Sequence, residues 1–132
     1  MKFLNPTVHG VVDYALGALL LLAPLLFGFT GVVAILCYVL GAGHISYSLI
    51  TRYPLSILKL IPFPVHGVIE SVAAVVLLAA PWLFDFAHDA LARNFFVVNA
   101  IAVGIVVAVT RYRTVPEEEQ ARTGRAQVSA RT

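Results

Sequence analysis

Charge is what this chain has least of. Asp, Glu, Lys and Arg together make up 12% of its 132 residues, against about a quarter in soluble domains. Side chains that scarce cannot cover a water-facing surface of ordinary size. Cys37 is the single cysteine, so an internal disulfide is excluded, and it carries no information on redox compartment. There is no Gly-rich phosphate loop, no zinc-ligand spacing and no nucleophile elbow. The sequence therefore gives no basis for an enzyme, and we expect none. The net charge of +2 is no nucleic-acid signature either.

Apolar residues fill the gap. They make up 60% of the chain and the mean hydropathy is +0.90. A helix needs about 20 mainly apolar residues to cross a bilayer. Residues 11–29, 32–50, 68–86 and 95–109 come near that length, the last being the shortest. Asn5, Pro6 and Asp13 interrupt the start, and no small-residue cleavage site precedes the first span, so we expect no signal peptide. Asn5-Pro6 has the form of an N-cap followed by a first-turn proline, and Pro64 takes a similar place before the third span. Residues 54–63 are too short to span and predict a short interfacial helix. The turn at residues 28–31 reads as tight, that at 85–94 as longer and polar. After Val115, an acidic helix start at Pro116-Glu117-Glu118-Glu119 leads into a polar segment from Gly124 that we expect to be disordered.

The strongest pattern is a repeat. Val8-His9-Gly10-Val11-Val12-Asp13 returns 57 residues later as Val65-His66-Gly67-Val68-Ile69-Glu70. The same offset carries Pro24 to Pro81, Phe27 to Phe84 and Phe29 to Phe86. Thr51-Arg52-Tyr53 and Thr110-Arg111-Tyr112 close the second and fourth spans alike. The Arg side chains suit the headgroups and the Tyr rings the interface. The chain thus predicts an all-α, four-helix transmembrane bundle built from two parallel two-helix repeats. Residues 1–56 form the first repeat, 57–113 the second and 114–132 a tail. Pro24 and Pro81 should bend or end their helices near the outer side, with Phe27, Phe29, Trp82, Phe84 and Phe86 marking the outer interface.

In each unit the first span ends on a proline motif, Ala23-Pro24-Leu25-Leu26-Phe27-Gly28 and Ala80-Pro81-Trp82-Leu83-Phe84. This resembles the SPW-repeat family of small bacterial membrane proteins, with Ala in place of Ser in both copies and Trp kept only in the second. The resemblance covers roughly the first 112 residues. It implies a multi-pass membrane protein with no assigned catalytic activity, and it carries over no functional residues.

The polar residues inside the spans point to a site. Ionisable groups in a membrane are costly and face a bundle interior or a wet cavity. His9 and Asp13 are four residues apart and share a helix face, as do His66 and Glu70. On the second span, Cys37, Gly41, His44, Ser48 and Thr51 form one small, polar stripe suited to close packing. His44 lies at about the depth of the two carboxylates. His9, Asp13, His44, His66 and Glu70 are therefore expected to form one polar cluster. Asp13 and Glu70 also have Arg52 and Arg111 as candidate partners. Asp85, His88 and Asp89 have ligand chemistry but sit in a polar loop, and Asn99 is the polar residue of the fourth span.

Three functions compete. The leading one is a structural or interaction protein, an accessory subunit with a membrane-protein partner or a second copy of itself. The second is a cofactor protein. His9, His44 and His66 would bind a haem or a transition metal, with Asp13 and Glu70 as ligands or hydrogen-bond acceptors. The third is a proton or ion pathway through the His–carboxylate pairs, against which the polar path stops mid-membrane.

Eight of the nine Lys and Arg residues fall on the side shared by both termini and the middle loop, and Arg93 falls opposite. The positive-inside rule then predicts both termini in the cytoplasm of a bacterial cell, with the chain in the inner membrane. A topology reporter fused after Thr132 should read cytoplasmic, and one inserted at residues 86–88 should read external.

Overall fold

The computed structural model describes residues 3–112 and 123–130. Four long helices follow one another: α1 (Pro6–Phe27), α2 (Gly31–Leu49), α3 (Phe63–Leu83) and α4 (Ala90–Val109). Each is long and apolar enough to cross a membrane. Helices α1 and α2 pack as one pair and α3 and α4 as another, giving an all-α bundle of two two-helix repeats. All but α2 begin five residues earlier than hydropathy alone suggests, because caps and first-turn prolines set their starts. The Asn5 side chain accepts from the Val8 N–H at 2.9 Å with Pro6 behind it. Pro64 stands in the first turn of α3. The Asp89 carboxylate accepts from the N–H groups of Leu91 and Ala92, so this loop acid serves as a cap.

The outer turns differ. Gly28 and Gly31, both at positive φ, fold the first into a tight connection, with Gly28 as the left-handed C-cap of α1. Asp85, at the offset of 57 from Gly28, takes the same left-handed conformation at φ 57°. Pro24 and Pro81 sit in the last turn of their helices, as expected. Phe27, Trp82 and Phe84 are exposed at this end, whereas Phe29 and Phe86 are buried. These two rings turn inward to pack edge-on against Phe95 and Phe96, and so close the core rather than mark the interface.

The inner loop departs from expectation. Residues 54–62 form no helix. Their backbone groups return to the end of α2: Ile57 and Leu58 donate to the Leu49 carbonyl, and Leu60 and Ile61 to that of Ile50. Arg52 N–H donates to the Ile61 carbonyl at 2.8 Å. The same pairing recurs at the start of the chain, where Phe3 and Leu4 donate to the Val109 carbonyl and Arg111 to that of Leu4. Isolated bridges therefore join Leu4 to Thr110 and Ile61 to Thr51. The segment before each repeat is tied to the end of the other repeat, which closes the bundle into a ring with pseudo-twofold symmetry. In the tail, residues 123–129 form a short exposed helix where we expected disorder. Their Ala, Arg and Gln residues favour helix. Residues 116–119 lie outside the described part.

Only 28–33% of the most apolar stretch of each span is buried. Ile35, Val75 and Ile101 point outward, a surface fit for lipid. The buried core runs through Leu20, Cys37, Leu77, Phe96 and Val103. Lipid tails are as apolar as these side chains, so close packing and polar contacts must hold the helices together. A Cβ at Gly41 would lie 3.0 Å from the Leu21 backbone nitrogen, and one at Gly17 would lie 2.6 Å from Ile45. Gly43 does not share this role: a Cβ there meets nothing within 4 Å. Gly41→Leu should thus cost about 1–3 kcal/mol through overpacking. Gly43→Leu should stay within about 0.5 kcal/mol of the parent. Reversible unfolding in mixed micelles measures both.

Candidate metal centre between the repeats

All five predicted site residues meet at the basic end of the bundle. The early start of α1 and α3 puts His9, Asp13, His66 and Glu70 in their first two to three turns, facing one another across the pseudo-twofold axis. None of the four is exposed to solvent, and His44 is 5% exposed. The two His Nε2 atoms are 3.2 Å apart. His9 Nε2 lies 3.3 Å from Asp13 Oδ1 and 3.3 Å from Glu70 Oε2. His66 Nε2 lies 3.1 Å from Asp13 Oδ2 and 3.8 Å from Glu70 Oε2. One ligand atom from each of the four falls within 4.8 Å of all the others. His44 stands just outside this quartet, its Nε2 3.9 Å from Asp13 Oδ1. The Arg52 Nε donates to the Lys59 carbonyl.

The far side of each imidazole fixes its tautomer. His9 Nδ1 is 2.9 Å from Thr110 Oγ1, and His66 Nδ1 is 2.8 Å from Thr51 Oγ1. Each hydroxyl has one hydrogen, and it goes to a helix carbonyl at 2.6 Å, Val106 for Thr110 and Tyr47 for Thr51. The threonines must therefore accept, and Nδ1 of each histidine must donate. In the neutral rings both Nε2 lone pairs then point into the quartet. Each threonine belongs to the opposite repeat from its histidine, so this contact exists only once the ring is closed.

The carboxylates are incompletely satisfied. Glu70 Oε2 accepts from the Tyr112 hydroxyl at 2.8 Å, and Asp13 Oδ2 accepts from Ser48 at 3.4 Å. Asp13 Oδ1 and Glu70 Oε1 are buried without a hydrogen-bond partner. Tyr53, Phe63 and Tyr112 pack edge-on against His9 and wall off the quartet. Burial pushes the phenols of Tyr53 and Tyr112 well above their ordinary range, so both stay protonated. This corrects the interfacial role expected for Tyr53, which is fully buried. The repeated glycine after each histidine explains how the rings fit. A Cβ at Gly10 would lie 2.5 Å from the Tyr53 ring, and one at Gly67 would lie 2.7 Å from that of Tyr112.

The threonines and tyrosines were visible as the repeated Thr-Arg-Tyr closure, but their offset is 59, not 57. Nothing in the linear pattern shows that each threonine reaches across to the other repeat. The same offset exposes an asymmetry. His44, Tyr47 and Ser48 of α2 correspond to Val103, Val106 and Val107 of α4.

The chain matches the SPW repeat domain over residues 7–114 and belongs to that family. Comparison with curated proteins and with solved structures gives no match. Family and helices together make it a multi-pass membrane protein. Thr51→Val and Thr110→Val each strand a buried Nδ1–H and should each cost about 1–3 kcal/mol. Because both act on one quartet, the double variant should deviate from additivity by more than about 0.5 kcal/mol. Unfolding of the three variants in one detergent tests this.

Proposed function

We propose that this SPW repeat protein holds one divalent transition-metal ion between its two repeats, through His9 Nε2, His66 Nε2, Asp13 and Glu70. The observation that carries the proposal is the convergence of four electron-pair donors, two imidazole lone pairs and two carboxylates, inside a fully buried space. Such a set needs a positive centre. With neutral imidazoles its charge is −2. A single proton would leave −1 in a low-dielectric interior, and two protons would set two Nε2–H groups head to head at 3.2 Å. A divalent ion brings the quartet to zero.

The spacing agrees. Around an ion with bonds of about 2.0–2.2 Å, the edges of a tetrahedron are roughly 3.3–3.6 Å. The His–His and His–carboxylate separations run from 3.1 to 3.8 Å, and the four ligand atoms lie within 4.8 Å of one another, so the set is near this size and would contract slightly around an ion. Two nitrogens and two carboxylates suit Zn²⁺, Fe²⁺ or Mn²⁺. The threonines act as the outer partners that fix imidazole orientation in metal sites. A haem fits poorly: axial nitrogens on opposite faces of one iron lie about 4 Å apart, beyond the 3.2 Å found here. A structural ion-pair lock, the role of an accessory subunit, needs an Nε2–H on each imidazolium; the threonine contacts allow this, but it sets the two N–H groups head to head at 3.2 Å. A through-membrane proton path gains little support, because beyond the quartet the buried core is mainly apolar. The basic residues support a cytoplasmic-side site in the bacterial inner membrane.

The protein purified without chelators should carry about one equivalent of metal per chain by elemental analysis. His9→Ala, His66→Ala and Asp13→Asn should each reduce this below a tenth while four spans remain inserted. Thr51→Val should weaken binding about 10–100-fold. Wild-type metal content no higher than that of a His9→Ala/His66→Ala double variant would defeat the proposal, as would a stoichiometric Soret band.

A further inference from the structure

One half-buried polar pair is left over by the metal centre. Tyr47 Oη lies 2.7 Å from His44 Nδ1, and neither side chain belongs to the quartet. Their counterparts in α4 are Val106 and Val103, so the repeat itself does not require them. Polar groups kept at this depth in a span are functional candidates. His44 lies five residues from the Leu49 end of α2, roughly 7–8 Å into the span at 1.5 Å per residue.

The pair forms one corner of a cavity of about 140 Å³ between α2 and α3, completed by Leu20, Leu40, Gly43 and Leu77. It lies on the seam between the repeats. Its rim residues Val39 and Gly43 are exposed on the outer face of α2, so it opens toward hydrocarbon rather than toward water. A cavity near 150 Å³ with aliphatic walls accommodates one benzene-sized ring. Gly43 matters here because it lacks a side chain: any larger residue would occupy the mouth.

We infer that this seam binds the ring of a bilayer-borne amphiphile of the phenol or quinone class, its ring oxygen bonded to the Tyr47 hydroxyl and its tail lying in the lipid. A hydroxyl can both donate and accept, so it serves either oxidation state of such a ring. The apolar walls set the ring size, and the tyrosine distinguishes an oxygenated ring from a plain acyl chain. The ring would lie beside His44, which borders Asp13 of the metal centre. The inference does not depend on that centre being loaded.

A photoreactive decyl-1,4-benzoquinone, applied to the full chain in nanodiscs, tests it in metal-loaded and chelator-treated samples. Saturable labelling within residues 39–47 and 73–77, competed by unlabelled decyl-benzoquinone, is expected. Gly43→Leu should reduce labelling at least tenfold, and Tyr47→Phe at least fivefold, with metal content unchanged in both. Equal competition by decylcyclohexane would show acyl filling only and overturn the inference. So would labelling that Gly43→Leu leaves intact. Ring labelling in a protein that carries no metal when purified without chelators would overturn the metal proposal alone.

Discussion

Two carboxylates buried to zero exposure in a bilayer-spanning bundle set the terms for everything around them. A charged Asp at the centre of a span costs about 2.5–3.5 kcal/mol on insertion scales, and an uncompensated one inside a packed interior costs more. The fold answers by bringing Asp13 and Glu70 to the same point and surrounding them with histidines, a serine and a tyrosine. Much of the compensation comes from imidazoles, groups of a type that can also ligate a metal.

The ring closure is the second consequence. Neither repeat satisfies its own histidine: Thr51 serves His66, and Thr110 serves His9. The threonines are positioned by short backbone bridges that tie the segment before each repeat to the end of the other. A two-helix unit alone would leave a carboxylate, an imidazole N–H and several backbone groups without partners in hydrocarbon. The buried polar contacts therefore make the repeats interdependent, although lipid gives the helices little hydrophobic reason to associate. The glycine after each histidine belongs to the same design, since it admits the tyrosine ring that seals the quartet from water.

Departures from symmetry mark where the repeats have diverged in use. The quartet keeps its pattern in both halves, with Glu in place of Asp. Helix α2 does not: where it has His44, Tyr47 and Ser48, α4 has valine at the matching positions. One seam thus has a polar corner, while in α4 the buried Asn99 spends its amide on the Phe95 carbonyl. A symmetric scaffold with one chemically distinct seam can carry a shared central site and a separate lateral one.

Sequence alone determined the class, the four spans, the repeat and the membership of the polar cluster, because each rests on local quantities. Apolar run length sets a span, and i, i+4 spacing puts His9 with Asp13 and His66 with Glu70 on one face. Asn5-Pro6 announces a helix start whatever follows. The cross-repeat threonines, the tyrosine walls, the inward turn of Phe29 and Phe86 and the unwound inner loop were decided by tertiary structure. Each depends on which backbone or ring lies opposite, and that partner is up to about a hundred residues away, as Thr110 is from His9. The tautomers follow from those contacts, and with them the direction of the lone pairs. Composition can supply histidines and carboxylates to one depth of a membrane, but only the closed ring aims all four at a single point.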